Sequence, residues 1–209
     1  SLLTHDANTS DLTLNNKNNK IDCWHYVEAY HFYQLSQKQL YEGRLYSAMK
    51  TSIRCQEYDD ILKIKDIYSL IALTAFYNKY YHTCSLAFIR LESLDTLTEK
   101  EQLQYKKLAL QIFAQQQQQQ QQQLVFQAPI DPINDQINCP TQSCNNTSLY
   151  KHDTSCIKCA KKFPACVISG TSIFHLQETY RCSTCKHYML RLEFGTLKHC
   201  PLCHSKINH

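Results

Sequence analysis

Glycine and proline are scarce in this chain, whose 209 residues include three glycines and five prolines. A β-sandwich or β-barrel needs a turn about every ten residues, and such turns use many of these two residues. The scarcity argues against both architectures and favours helices joined by short connections. Long apolar runs are also absent: a membrane-spanning helix needs roughly 20 apolar residues, and the richest run, 70–77, is interrupted by Thr74. No signal-peptide pattern is visible, so we expect no transmembrane segment in this chain.

Cysteine, in contrast, is abundant and unevenly distributed. Cys23, Cys55 and Cys84 are scattered through the first two thirds, and the other nine of the twelve lie between Cys139 and Cys203. A disulfide framework would be typical of a small secreted protein, but the spacings here are those of metal sites. They favour a reducing compartment.

The first part of the chain divides into a polar and a helical segment. Residues 1–20 are polar and rich in asparagine and lysine, without the periodicity that would bury a face, and we interpret them as a linker. From 21 to 113, apolar residues recur every three or four positions, which predicts amphipathic helices. The helices are predicted at about 22–43, 45–53, 65–78, 81–94 and 99–113. Thr98 and Glu101 form a capping-box pattern at the start of the fifth.

These helices show an internal repeat. Aligning 43–48 with 78–83 superimposes an interhelical turn, a large residue and then a small one, Ala48 or Thr83, with a period of 35 residues. That period is close to the tetratricopeptide (TPR) repeat, in which small residues let antiparallel helices pack closely and neighbouring pairs stack. We predict a mainly α, TPR-like solenoid and expect further repeats before Ser1. A plain helical bundle is the alternative.

A low-complexity segment separates the helices from the cysteine-rich end. Residues 115–123 are nine consecutive glutamines, and 124–138 contains Pro129 and Pro132. We interpret 114–138 as a glutamine-rich linker. Composition does not decide whether the tract extends the preceding helix.

Residues 139–209 carry four cysteine pairs and are predicted to be a zinc-binding module with two sites. A Cys-x2-Cys turn places both thiolates on one side, at two corners of a metal tetrahedron. The predicted ligands are Cys139, Cys144, Cys156 and Cys159 for the first Zn²⁺, and Cys182, Cys185, Cys200 and Cys203 for the second. The first pair has four intervening residues instead of two, so His152 or Cys166 could replace Cys144.

The two zinc ions are expected to be structural. All four ligands of each site are protein groups, which leaves no open position for water or substrate. The module has few apolar residues, and zinc must supply much of its folding energy, on the order of 10–16 kcal/mol for one structural site. Short hairpins of a zinc ribbon are predicted around the pairs, with a strand at 188–194 that turns at Gly195 and a strand and turn at 165–170. We expect no enzymatic activity.

Two other functions deserve comparison. Residues 139–209 hold nine Lys and Arg against three Asp and Glu. Each zinc with four thiolates contributes −2, which lowers the formal +6 of this region to about +2, so we expect no nucleic-acid binding.

A RING-type ubiquitin ligase also binds two zinc ions. A RING, however, interleaves its ligand pairs and has a Cys-x-His element before the third pair, and no Cys-x-His element precedes Cys182 here. We favour sequential sites, with a cross-braced RING-like ligase or adaptor as the alternative.

Several segments resemble the C-terminal end of a subunit of intraflagellar transport complex A. In the helical part they are 29–32, 37–43, 67–73 and 83–88; in the cysteine-rich part they are 163–170, 182–187 and 199–205. The Cys139-x4-Cys144 spacing departs from the family pattern, and residues 1–20 and the glutamine tract have no counterpart.

The resemblance implies a long protein with N-terminal β-propellers and an α-solenoid, built like a vesicle-coat subunit. It implies a non-enzymatic scaffold in retrograde ciliary transport and in the entry of membrane proteins into the cilium. Its partners would be the other complex A subunits, with cargo contacted indirectly. Its location would be the cilium, at the axoneme and basal body, and the cytoplasm. We expect the zinc tail, held by a flexible linker, to dock onto the solenoid of a neighbouring subunit.

Overall fold

The computed structural model describes residues 23–119, 131–144, 147–195 and 197–207. It is mainly helical, as the sequence predicts. The helices are α1 (Cys23–Tyr41), α2 (Leu45–Arg54), α3 (Ile64–Tyr77), α4 (Tyr81–Glu92), α5 (Glu99–Gln119) and the short α6 (Arg191–Phe194). Helix α5 continues into the glutamine tract as far as Gln119. The predicted linker at 1–20 and the segment 120–130 lie outside the described residues. No helix in the described ranges is both long and apolar enough to cross a membrane.

Helices α1 to α4 form two hairpins whose turns share one geometry. After α1, Arg44 N donates to Gln39 O and Gly43 N donates to Leu40 O. These are the two bonds of a Schellman motif, which requires positive φ at Gly43, here 73°. Short connections of this kind make neighbouring helices antiparallel.

The second hairpin repeats this turn and corrects the repeat length. Tyr80 N donates to Ala75 O and Lys79 N donates to Phe76 O, and Lys79 has φ 62°. Lys79 is therefore equivalent to Gly43, and the period is 36 residues, not the predicted 35. The small residue that corresponds to Ala48 is Cys84, not Thr83; both Ala48 and Cys84 are fully buried. The sequence alignment failed because a lysine occupies the left-handed position where glycine was expected.

Polar contacts between helices accompany the buried apolar core. Ser36 Oγ donates to Ala48 O at 2.9 Å across the first hairpin, and Cys84 Sγ lies 3.4 Å from Ala72 O across the second. At the start of α5, Glu101 N bonds to Thr98 Oγ1 and Thr98 N bonds to Glu101 Oε2. The predicted capping box is thus confirmed.

The cysteine-rich part contains two small antiparallel hairpins. Strand β1 (Gln136–Asn138) pairs with β2 (Ser148–Tyr150), and β3 (Thr179–Arg181) pairs with β4 (Tyr188–Leu190). The strand predicted at 188–194 is correct only for its first three residues, because α6 follows and brings Phe194 within 5.1 Å of the Tyr180 ring. Of the strand and turn predicted at 165–170, the turn is present and the strand is not. That segment forms a turn with isolated bridges at Ala165 and Cys166.

The N-terminus of α4 is capped by a residue 48 positions away. Asp131 is almost fully buried, and its Oδ1 accepts a hydrogen bond from His82 N at 2.9 Å. Its Oδ2 accepts bonds from Thr83 N at 3.2 Å and Thr83 Oγ1 at 2.5 Å. Helix N-termini leave such amides without partners inside the helix. The carboxylate of Asp131 satisfies them and holds the returning chain against α4.

Replacing Asp131 with alanine is expected to lower the free energy of unfolding by about 1–2 kcal/mol, the usual cost of losing a helix cap. Asp131→Asn is the matched control, since the asparagine side-chain oxygen still accepts hydrogen bonds from the amides. Its free energy of unfolding should fall clearly less. Both values can be measured by urea unfolding followed by far-UV circular dichroism. Equal stability of the two variants would show that Asp131 is not acting as a cap.

A second carboxylate joins the same region to α2 and to the residue that precedes α4. The hydroxyls of Tyr46 and Tyr80 both donate to Asp135 Oδ2, the latter at 2.9 Å. Lys151 Nζ lies 3.2 Å from Asp135 Oδ1. Burial, followed by these bonds, raises the pKa of both tyrosines, so they remain hydrogen-bond donors. The region around the first cysteine group is thereby attached to the helices.

The region around the second cysteine group packs directly on α1 and α2. His31 Nε2 donates to Val167 O at 2.7 Å, and Arg54 Nη2 donates to Ser172 Oγ at 2.6 Å. Val167 and Met189 are fully buried in the same core as Phe32 and Met49. This differs from the expectation of a tail held apart by a flexible linker. The sequence did not show it because the contacts join residues more than a hundred positions apart.

Candidate metal centres

The first group of cysteines lies around the β1–β2 hairpin. Cys139 directly follows β1, Cys144 ends a short 3₁₀ turn, and Cys156 and Cys159 share a tight turn after β2. The four Sγ atoms lie within 4.8 Å of one another. Cys144 Sγ lies 3.5 Å from Cys156 Sγ, and Cys139 Sγ lies 3.8 Å from Cys159 Sγ. The structure thus brings the predicted first quartet together.

A small apolar cluster of its own surrounds this quartet. Leu149 and Phe163 are almost fully buried beside the cysteines, and the ring of Phe163 lies 4.6 Å from that of Phe174. Such a shell excludes water from metal–thiolate bonds and tunes the site.

The second group lies between the β3–β4 hairpin and the C-terminal residues. Cys182 and Cys185 occupy the connection between the two strands, and Cys200 and Cys203 occupy a second turn. Their Sγ atoms also lie within 4.8 Å of one another. Cys182 is 3.6 Å from Cys203, and Cys185 is 3.7 Å from Cys200.

These distances fit tetrahedral zinc. A metal–sulfur bond of about 2.3 Å gives a tetrahedron with sulfur–sulfur edges of about 3.8 Å, close to the separations in both quartets. A disulfide would require about 2.05 Å, and all of these cysteines are free thiols. Each group supplies four sulfurs, a complete coordination shell, so it suits a structural ion and leaves no position for a substrate.

The thiols within each quartet differ in acidity. The pKa of Cys159 is lowered to about 6, mainly because the backbone amide of Lys161 donates a hydrogen bond to its sulfur. Burial opposes ionisation of Cys182, yet hydrogen bonds from Ser205 and from nearby amides lower its pKa to about 6. Burial raises the pKa of Cys185. Four thiolates so close together repel one another, and a divalent cation offsets that repulsion.

The alternative ligands lie elsewhere. Cys144 belongs to the first quartet, whereas His152 stacks on Tyr150 with ring centroids 5.1 Å apart and is not in either group. Cys166 Sγ lies 3.0 Å from Glu193 Oε2. Outside the cysteine-rich end, burial raises the pKa of Cys55 and of Cys84 to about 12, which keeps both as neutral core thiols.

The grouping of the pairs is sequential. The first and second pairs form one quartet, and the third and fourth pairs form the other. A cross-braced RING would instead combine the first pair with the third. The structure places all eight predicted cysteines in the predicted groups, and their individual roles as ligands remain predictions.

Comparison with known proteins adds to this geometry. Residues 21–120 match the family model described as "IFT121-like, TPR repeats". Residues 164–208, which contain the second quartet, match "IFT121, second zinc finger domain". The chain belongs to the IFT121-like family. This confirms the resemblance found in the sequence and the TPR-like character of the helices. With the two buried quartets, it also confirms the expectation of two structural zinc ions.

Relatives of this IFT121-like chain include WD repeat-containing protein 35 of Rattus norvegicus and of Mus musculus, each 37% identical over 186 residues. The Homo sapiens protein of the same name is 36% identical over 186 residues. In each case the match covers 89% of this chain and 14% of the relative. The chain therefore spans about one seventh of the length of these relatives.

Proposed function

We propose that this chain is part of a structural subunit of intraflagellar transport complex A and acts by protein–protein assembly. The match of both its helical part and its zinc finger to IFT121 domains carries the proposal. In this role it serves retrograde transport and the entry of membrane proteins into the cilium. It resides in the cilium, at the axoneme and basal body, and in the cytoplasm. Its direct partners are other complex A subunits, and cargo is contacted indirectly.

The proposed role is non-enzymatic. Both quartets are closed four-sulfur groups, and the histidine that follows the Cys182–Cys185 pair is engaged in structural contacts. His187 Nε2 lies 2.5 Å from Glu28 Oε1, and its Nδ1 lies 2.8 Å from Cys185 O. These contacts join the zinc finger to α1 and leave this histidine poorly placed to act as a general base.

The domain division is likewise a proposal: a polar linker at 1–20, a TPR-like solenoid at 21–113, a glutamine-rich linker at 114–138 and a two-site zinc module at 139–209.

The sequential pairing of the cysteines supports a scaffold with two separate zinc sites over a cross-braced RING-like ligase. A discharge assay with a ubiquitin-charged conjugating enzyme separates the two functions. The scaffold predicts no acceleration of discharge by the purified chain.

An apolar groove of about 470 Å³ offers a surface for assembly. It lies between α3, α4 and α5, and its lining includes Leu73, Tyr77 and Leu108. These three side chains are exposed although they are large and apolar. A solenoid that works through protein contacts is expected to leave such a surface for a partner.

The assembly proposal predicts that the double substitution Leu73→Asp and Leu108→Asp lowers co-purification of complex A subunits at least tenfold, because charges in the groove oppose burial against a partner. The measurement is affinity purification from ciliated cells that express the full-length protein, followed by quantitative mass spectrometry. Leu192→Asp is the matched control, since Leu192 is 89% exposed on α6 and outside the groove.

Deletion of 139–209 is a second arm of this experiment and should also reduce assembly. The deletion alone is ambiguous, because it uncovers the apolar faces of α1 and α2, and the groove variant resolves that ambiguity. Unchanged recovery of complex A subunits with both variants would contradict the proposal.

A further inference from the structure

Four turns in the cysteine-rich part share one backbone geometry. In each, the amide of a first cysteine donates to the carbonyl five residues later, and the amide four residues later donates back to that cysteine's carbonyl. All eight distances lie between 2.7 and 3.0 Å. The residue four positions after the cysteine has positive φ in every case, between 56° and 75°. The turns are 156–161, 166–171, 182–187 and 200–205.

Three of these turns carry a second cysteine and belong to the quartets. The turn 166–171 has Ser169 at that position and belongs to neither quartet. Its cysteine still accepts an amide hydrogen bond, from Leu190 N at 3.3 Å, but its Sγ faces the carboxylate of Glu193 at 3.0 Å. Burial raises the pKa of Cys166 to about 11, so it is a neutral thiol that donates to that carboxylate.

The turn 166–171 contacts helices instead of a metal. The carbonyl of Ser169 accepts from Gln39 Nε2 at 3.0 Å, and Thr51 Oγ1 lies 2.8 Å from it. Lys50 Nζ donates to Thr171 Oγ1 at 3.1 Å. Gln39, Thr51 and Ser169 are all buried. This carbonyl therefore pairs the buried amide of Gln39, which would be costly to leave without an acceptor. The Thr51 hydroxyl also lies 2.8 Å from Gln39 Oε1 and 3.0 Å from Ser47 O, so the Ser169 carbonyl is one of three acceptors for its single proton.

Gly170 shows how closely the turn approaches α2. Ala160, Lys186 and His204 occupy the equivalent position of the other turns at similar φ and are exposed. The conformation alone therefore does not demand glycine. A Cβ on Gly170, however, would lie 2.3 Å from Thr51 Oγ1 and 2.8 Å from Thr51 Cβ. Glycine is needed here because the backbone contacts α2 directly.

We propose that residues 166–171 are a metal-free zinc knuckle whose role is to bind the buried polar groups of the α1–α2 hairpin. Through this turn the second zinc finger becomes a fixed part of the helical array. The turn 166–171 contacts the amide of Gln39 and the hydroxyl of Thr51 instead of a metal ion. The inference does not depend on the partners proposed above.

Gly170→Ala in the whole chain tests this inference, with Lys186→Ala as the control at the equivalent position of another turn. The readouts are zinc content and amide hydrogen exchange. Gly170→Ala should keep two zinc ions per chain, while amides of α1 and α2 exchange roughly tenfold faster or more, because the added methyl group separates the turn from Thr51. Lys186→Ala should match the wild type in both measurements.

Gln39→Met keeps the side-chain volume but removes the donor to the Ser169 carbonyl. This variant tests the same inference if Gly170→Ala does not fold. It should also retain two zinc ions and accelerate exchange in α1 and α2. Unchanged exchange in these variants would overturn the inference. Loss of one zinc ion with unchanged exchange would overturn it as well, because the turn would then serve the metal site and not the helices.

Discussion

Cys200→Ser is expected to reduce zinc content from two ions to one and to unfold the second zinc finger. Cys200 is fully buried and belongs to the second quartet. A structural zinc site contributes on the order of 10–16 kcal/mol of apparent binding energy to folding. Serine at this position supplies no thiolate, so most of that energy is lost. Metal released on denaturation can be measured with a chromogenic chelator.

The effect should reach beyond the zinc finger. Val167, Met189 and Ile207 share the core of α1 and α2, and unfolding of the finger would expose that core to water. We therefore expect loss of helical circular dichroism at a lower temperature than in the wild type, and the same effect from a zinc chelator. The first quartet has its own apolar shell and should keep its ion.

Cys55→Ser is the control for this experiment. Cys55 is also a fully buried thiol, but it lies at the end of α2, 3.4 Å from Thr51 O, and it is outside both quartets. The Cys55→Ser variant should retain two zinc ions and have nearly the melting temperature of the wild type. Two zinc ions in Cys200→Ser would contradict the assignment of this cysteine as a ligand.

Arg54→Met is expected to lower the free energy of unfolding by about 2–4 kcal/mol, because it leaves buried hydrogen-bonding groups without partners. The side chain of Arg54 is only 3% exposed. Its Nη1 donates to Phe163 O at 3.0 Å, and its Nη2 donates to Ser172 Oγ at 2.6 Å. Methionine fills similar space but donates to neither group. Urea unfolding measures the difference.

Arg90→Met is the matched control, since Arg90 lies on the exposed surface of α4 and a substitution there should change stability by no more than about 0.5 kcal/mol. If Arg54→Met were as stable as Arg90→Met, the guanidinium of Arg54 would not be holding the cysteine-rich part to α2.

The sequence predicted what depends on local chemistry. Apolar residues at helical spacing located the five long helices, and Thr98 with Glu101 marked the start of α5, because capping involves neighbours only. The paired cysteines identified both quartets, since the ligand spacing reflects a local turn.

Contacts across long sequence distances were missed. Asp131 looked like part of an irregular connection, because nothing near it in the sequence shows that α4 lacks a cap of its own. Thr51 and Arg54 looked like ordinary helix residues, and their partners at 169 and 163 became visible only in the folded chain. Lys79 hid the true repeat length, since its left-handed conformation is imposed by the turn and not by its residue type.

The hydrogen bond from His31 to Val167 joins residues 136 positions apart, and this separation determines how late in synthesis the contact can form. A chain emerges from the ribosome from its N-terminus, so α1 and α2 are synthesised long before the turn that completes their buried face. Non-local contacts of this kind slow folding and leave apolar surface exposed in the meantime. During translation, the α1–α2 hairpin therefore keeps apolar surface exposed until the segment that contains Val167 and Met189 has been made.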